Sequence, residues 1–160
     1  MFVHRQIPFI TLSGEWRCVD VGVFDILTEL KAHGVVTQFS CQGGDEYEKN
    51  VPQAAYVMAD TKSFLPLLKK IKRLYKKGNL SKESSMLVSK FLHGDITTDF
   101  EIAFKRGTYR VFYWAFKHMP LSGTKYSIER HFQYPEGLRT TVRWPHDVSD
   151  QVLNLLREVK

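Results

Sequence analysis

The chain has 160 residues, enough for one domain with its own hydrophobic core. Hydrophobic residues make up 43% and charged residues 25%; no apolar run reaches the roughly 18 residues of a membrane-crossing helix, and the first residues lack the apolar stretch of a signal peptide. Two cysteines exclude a disulfide framework and a four-cysteine zinc site. The net charge of +6 and pI near 9.3 point to anionic partners: nucleotides, nucleic acid or phosphorylated metabolites. The expected compartment is a reducing cytoplasm, where both thiols stay free.

Residues 2–12 are apolar and broken by Pro8, which predicts an edge strand or extended arm, because proline cannot donate to a central ladder. Ser13-Gly14 turns the chain. Asp20 is placed to N-cap a helix whose Val23, Phe24, Ile26, Leu27 and Leu30 follow helical spacing. Gly22 is a mild cost in its first turn, and Gly34 ends it. Residues 35–41 then read as a strand, with Thr37, Phe39 and Cys41 on one face and Val36, Gln38 and Ser40 on the other. A polar connection over 42–53 leads to a second strand over 54–59, pairing antiparallel with the first. At about ten residues it exceeds the usual hairpin loop, and long loops often carry function.

Asp60, Thr61 and Ser63 offer caps for a helix over 63–77, with Pro66 in its first turn. Phe64, Leu65, Leu67, Leu68, Ile71, Leu74 and Tyr75 form its apolar stripe. Lys62, Lys69, Lys70, Lys72, Arg73, Lys76 and Lys77 fall on the other side with no acidic residue among them. Such a face either stays in water or meets an anion. Another helix is predicted over 82–92, strands over 100–105 and 109–116, and a loop over 118–123. The clearest hairpin joins 125–134 to 138–144 through Pro135-Glu136-Gly137. Asp147 then caps a last helix with Val148, Val152, Leu155, Leu156 and Val159 inward.

Residues 35–77 and 125–159 share one order: strand, loop, strand, capping acid, helix. Two ββα units in one sheet would read this way. The predicted class is α+β, a mainly antiparallel sheet with helices packed on one face. The other face is then left for a ligand or for solvent. In the second hairpin Ile128, Phe132, Leu138, Val142 and Trp144 form an apolar set, and Ser127, Glu129, His131, Arg139, Thr141 and Arg143 a polar set at period two. The polar set is either a solvent face of cross-strand Glu–Arg pairs or a platform on which Arg139 and Arg143 clamp a phosphate or carboxylate.

Ser40-Cys41-Gln42-Gly43-Gly44 ends a strand in two glycines, where backbone N–H groups can form an anion-binding nest. Neither the Walker order nor Gly-x-Gly-x-x-Gly occurs. Cys41 is a candidate nucleophile or a small buried hydrophobe, and His33, His93, His118 and His131 are candidate bases that no spacing separates. The six histidines show no His-x-x-x-His or His-Glu-x-x-His, and no Cys-x-x-Cys occurs; neither a metal nor a cofactor is expected. No nucleic-acid recognition motif is present, although the basic helix can meet phosphates without reading sequence.

The run from Leu30 through Gly34-Val35-Val36-Thr37-Gln38-Phe39-Ser40-Cys41-Gln42-Gly43-Gly44, followed by Ala55-Tyr56-Val57 and the late Leu138-Arg139-Thr140-Thr141-Val142-Arg143-Trp144-Pro145, resembles small uncharacterised proteins of bacteriophages and bacteria that carry a Thr-x-Phe-Ser-Cys-Gln-Gly motif. The resemblance covers most of the chain and implies capture of a nucleotide signal made by host defence, in the host cytoplasm. A weaker similarity is to wybutosine-type tRNA methyltransferases, on Thr37, Ser40, Cys41 and Gly43. Thr37 is spaced differently there, and Gly44 stands where that family has arginine.

The leading expectation is a binding protein for a nucleotide-like anion. Thr37, Ser40, Cys41, Gln42, Gly43 and Gly44 form one wall and Glu129, Arg139 and Arg143 the other, with Tyr56 or Trp114 stacking on a base. The alternatives are an enzyme acting on a nucleotide or RNA, hydrolase or methyltransferase-like, with Cys41 or a histidine in the chemistry, and a nucleic-acid or protein interaction module built on the basic helix. Self-association stays open.

Overall fold

In the computed structural model, residues 4–44, 46–47, 51–52, 54–93, 127–133 and 137–160 are described. The predicted strands over 100–105 and 109–116, the loop over 118–123, and Trp114 and His118 lie outside them. The chain begins with an antiparallel hairpin, β1 (Gln6–Ile10) and β2 (Trp16–Asp20), closed by a turn in which the Gly14 N–H donates to the Thr11 carbonyl (2.9 Å). Pro8 is tolerated because β1 has a single strand neighbour. The second strand of this hairpin was not predicted.

Helix α1 (Val21–Ala32) follows β2 without a loop. Gly34, at φ 82°, ends it. The Gly34 N–H donates to the Lys31 carbonyl and the Val35 N–H to the Leu30 carbonyl, each at 3.0 Å. This pair of bonds satisfies carbonyls that a helix end otherwise strands. The same pattern closes α2 (Thr61–Lys76), where Gly78 has φ 71° and the Asn79 N–H reaches the Leu74 carbonyl at 2.9 Å. Asp60 caps α2 as expected, accepting from the Ser63 N–H at 3.1 Å. Because the helix starts at Thr61, Pro66 lies in its second turn rather than its first. The carbonyl of Lys62 therefore loses its usual helical donor.

Strand β3 (Thr37–Cys41) leads into a two-residue ladder, β4 (Glu46–Tyr47) with β5 (Val51–Pro52), inside the connection read as a loop. Strand β6 (Ala55–Asp60) follows, then α2 and α3 (Lys82–His93). The second hairpin is β7 (Ser127–Gln133) and β8 (Gly137–Trp144). A 3-10 turn over His146–Val148 carries the chain into α4 (Ser149–Glu158). Asp147 sits within that turn and does not cap α4. Ser149 works there instead, with its hydroxyl accepting from the Trp144 indole N–H (2.9 Å) and donating to the His146 carbonyl (3.0 Å).

The main sheet has the order β3-β6-β8-β7 and every pairing in it is antiparallel. The second strand of each ββα unit is central and the first is lateral. Two such units related by an approximate two-fold axis between β6 and β8 give this order. On one sheet face Ala55, Val57 and Ala59 of β6 and Val142 and Trp144 of β8 join the buried core. The helices meet them with Ile26, Leu27, Phe64, Leu67, Leu87, Phe91, Val152 and Leu155. Burying each such aliphatic or aromatic side chain is worth about 1.5–3 kcal/mol. The fold is thus α+β with its helices on one face. A cavity of about 370 Å³ remains between the helices and the sheet, walled by Ile26, Phe64, Ile71, Phe91, Val142 and Trp144 among others. Among the described residues no helix is long and apolar enough to cross a membrane.

Candidate functional site

The register of β6 against β8 decides which side chains share the face turned away from the described helices. Tyr56 stands opposite Arg143, Met58 opposite Thr141, and Asp60 opposite Arg139. On the lateral strands Cys41 pairs with Tyr56, Phe39 with Met58, and Glu129 with Thr141. Cys41, Tyr56 and Arg143 therefore form one row across the sheet, and Phe39, Met58, Thr141 and Glu129 the next. Glu129 is placed by its backbone position on β7.

A bulge between Thr37 and Phe39 changes the expected face of β3. Thr37 pairs with Ala59 and is buried, whereas Phe39 pairs with Met58 and is 51% exposed. One extra residue flips the side-chain alternation, so Thr37 and Phe39 do not share a face. Ser40 pairs with Val57, a core residue, and so also stands on the helix side. Of the residues expected in one pocket, Cys41, Tyr56, Arg139 and Arg143 share the face turned away from the described helices; Thr37 and Ser40 belong to the other.

The polar strip of β8 is not a solvent face. Arg139 and Arg143 are each 4% exposed and Thr141 is 0% exposed. Both guanidinium groups lie on aromatic rings: that of Arg139 is 5.8 Å from the Phe39 centroid and that of Arg143 is 5.3 Å from the Tyr56 centroid. Such contacts contribute about 0.5–2 kcal/mol and hold a long side chain in one direction. Tyr56 thus orients Arg143 on this face. Burial pushes the Tyr56 phenol above its ordinary value; the Cys41 thiol adds to this and Arg143 opposes it. The ring stays neutral at physiological pH. Among the described residues the buried Thr141 hydroxyl makes no hydrogen bond. An unsatisfied buried hydroxyl costs about 1–3 kcal/mol, which a ligand acceptor would offset.

The glycine turn serves a different purpose from the one its composition predicts. The Gln42 N–H donates to Asp20 Oδ2 (3.0 Å), and the Gly43 N–H points at Cys41 Sγ (3.4 Å). Two of the amides expected to form an anion nest are therefore engaged within the protein. The Gln42 side chain reaches the start of α1, where its Oε1 accepts from the Gly22 N–H at 2.8 Å. Asp20 stands at the N-cap position, yet its carboxylate makes no capping bond; Gln42 supplies the cap from another segment. Gly22 permits this, because a Cβ there would lie 2.6 Å from Gln42 Oε1. Gly43 and Gly44 both have positive φ (69° and 88°), and a Cβ on Gly44 would meet the His146 ring at 3.2 Å.

Asp20 is the hub of a cluster that sequence reasoning missed. Its carboxylate faces His4 Nδ1 (2.8 Å) and accepts from Gln6 Nε2 (3.2 Å) and the Gln42 amide. Burial raises the Asp20 carboxyl, but the hydrogen bonds from Gln42, His4 and Gln6 outweigh it and hold the group below its ordinary value. Protein groups thus meet both carboxylate oxygens. A nitrogen of His4, an oxygen of Asp20 and the Cys41 sulfur lie within 4.8 Å of one another. No sequence spacing reveals this trio. The available signal was the extended pattern of Trp16–Asp20, which pairs Asp20 with Gln6 in β1. No protein-family model, curated protein or solved structure matches the chain.

Proposed function

We propose that the protein holds a nucleotide-like anion on the face of its sheet turned away from the described helices, along Arg139, Thr141 and Arg143. The observation that carries this reading is the buried strip itself: two guanidinium groups steadied by aromatic rings, with a buried hydroxyl between them. Same-face residues on a strand recur at roughly 6.6 Å, so the strip runs about 13 Å and can take two phosphates or a phosphate and a sugar. Guanidinium groups suit phosphate and carboxylate because their paired N–H donors match the spacing of two oxygens. The overall charge of +6 draws anions toward the protein. On this reading the strip captures its ligand and returns it intact.

Titration calorimetry against a panel of mono-, di- and cyclic nucleotides tests this. One class is expected to bind saturably and to be recovered intact after denaturation. Arg143→Met, which keeps the stem against Tyr56 and removes the charge, is expected to weaken binding at least tenfold. No heat with any member of the panel would reject the reading.

A further inference from the structure

The trio at the end of the Cys41 row has a use that anion capture does not require. His4 precedes β1, Asp20 ends β2 and Cys41 ends β3, and their polar atoms converge within 4.8 Å. The His4–Asp20 contact is made through Nδ1 at 2.8 Å. An anionic carboxylate there fixes the proton on Nδ1 and stabilises the doubly protonated ring. Asp20 is ionised at neutral pH, since its hydrogen bonds hold the carboxyl low. The Gly43 N–H directed at Cys41 Sγ favours the thiolate over the thiol.

The groups around Cys41 differ in sign, and the Asp20 carboxylate alone would oppose the thiolate. Tyr56, its partner on β6, is a neutral phenol. Arg143, next in the row, brings a positive charge. The negative charge of Asp20 is matched by His4. His4 and Asp20 stand beside the thiol, and Tyr56 and Arg143 follow it in the same row of the sheet. Cys41 is half-buried, so small reagents can reach it.

We propose that Cys41 is a reactive thiol paired with His4, that Asp20 positions the imidazole, and that the site takes carbon electrophiles carrying a negative charge. The thiol proton passes from Sγ to the His4 imidazole. The thiolate then forms a bond to the electrophilic carbon, and the leaving group departs with its electron pair and can take the proton from His4. The charge preference comes from Arg143 in the same row, so that part alone rests on the anion-binding reading. The thiol–imidazole pair stands on His4, Asp20 and Cys41.

The protein carries its own control, because Cys18 is exposed on β2. Alkylation of the two cysteines by iodoacetamide and by iodoacetate is followed by peptide mass spectrometry from pH 5 to pH 9. The exposed Cys18 serves as the reference thiol. Cys41 is expected to reach half its maximal rate at least about one pH unit lower, and His4→Gln to slow it about tenfold at pH 6.5 while leaving Cys18 unchanged. The iodoacetate-to-iodoacetamide ratio is expected to be higher at Cys41 than at Cys18 and to fall to the Cys18 value in Arg143→Gln. The wild-type comparison of the two cysteines needs no variant to fold. Matching pH profiles for both cysteines would overturn the thiol pair, as would protection of Cys41 that a chelator reverses. A shifted profile with equal reagent ratios would overturn the preference for anionic electrophiles and count against the arginine strip as an anion site.

Discussion

Gly22 and Gln42 show how a single missing side chain couples two distant segments. The helix start needs an acceptor for its first N–H groups, and Gln42 provides one only because Gly22 leaves room. Alanine at an exposed helix position normally stabilises relative to glycine by up to about 1 kcal/mol. Here Gly22→Ala is expected to destabilise by about 1–3 kcal/mol, because it displaces both the Gln42 cap and the loop behind it. Urea denaturation measures this, and in a Gln42→Ala background the same change is expected to become neutral or stabilising; stabilisation in the wild-type background would refute the coupling. Asp20 gives a pH-dependent counterpart. Its folded pKa lies below its unfolded one, so the stability it adds is present above about pH 4 and is lost as pH falls through the lower folded value. The stability difference between wild type and Asp20→Asn is therefore expected to narrow on acidification below about pH 4, as followed by denaturation at stepped pH. The position of Asp20 just before α1 was legible in the sequence. Its use was not, because His4, Gln6 and Gln42 reach it only through tertiary pairing.

At the scale of elements, periodicity was informative wherever one face was buried. The alternation of Arg139, Thr141 and Arg143 against Val142 and Trp144 was readable along β8, since period two is intrinsic to a strand. Their burial was not readable: a polar stripe looks the same in sequence whether it meets water or not. The bulge in β3 was equally hidden, because an extra residue leaves no mark on composition and reverses which side chains face the site. The apolar stripe of α2 packs as its spacing predicts, while Lys62, Lys69, Lys72, Arg73, Lys76 and Lys77 are exposed. That basic face lies on the helix layer, across the sheet from the arginine strip. Reversing Lys69, Lys72 and Lys76 to glutamate is thus expected to leave nucleotide affinity within about twofold, since surface charges beyond a Debye length of roughly 8 Å are largely screened at physiological salt. Calorimetry on the triple variant checks this, and loss of binding would move the anion site to the helix face.

For the whole molecule, the two ββα segments recognised by their order of elements prove to be the two halves of one sheet. Helix α2 of the first half packs on strands of both, and α4 of the second also meets the segment before the first: the His33 ring meets the Leu156 carbonyl at 3.0 Å, and Arg157 lies 3.5 Å from Glu29. The fold class was legible because helix and strand periods differ. The row of Cys41, Tyr56 and Arg143 forms only on assembly, since Cys41 and Tyr56 come from the first half and Arg139, Thr141 and Arg143 from the second.

The strand order also dictates a sequence of events during synthesis. β6 emerges from the ribosome long before β8, the strand it needs on its inner edge. Until then the first ββα unit carries an unpaired edge in Ala55–Asp60, a largely buried stretch of the sheet. Closing the ladder that sets Val57 against Val142 joins distant parts of the chain, a slow step that leaves an exposed edge open to pairing with other copies. The same late closure brings Arg143 beside Tyr56, so the nascent protein completes the proposed anion site at the moment this edge is paired.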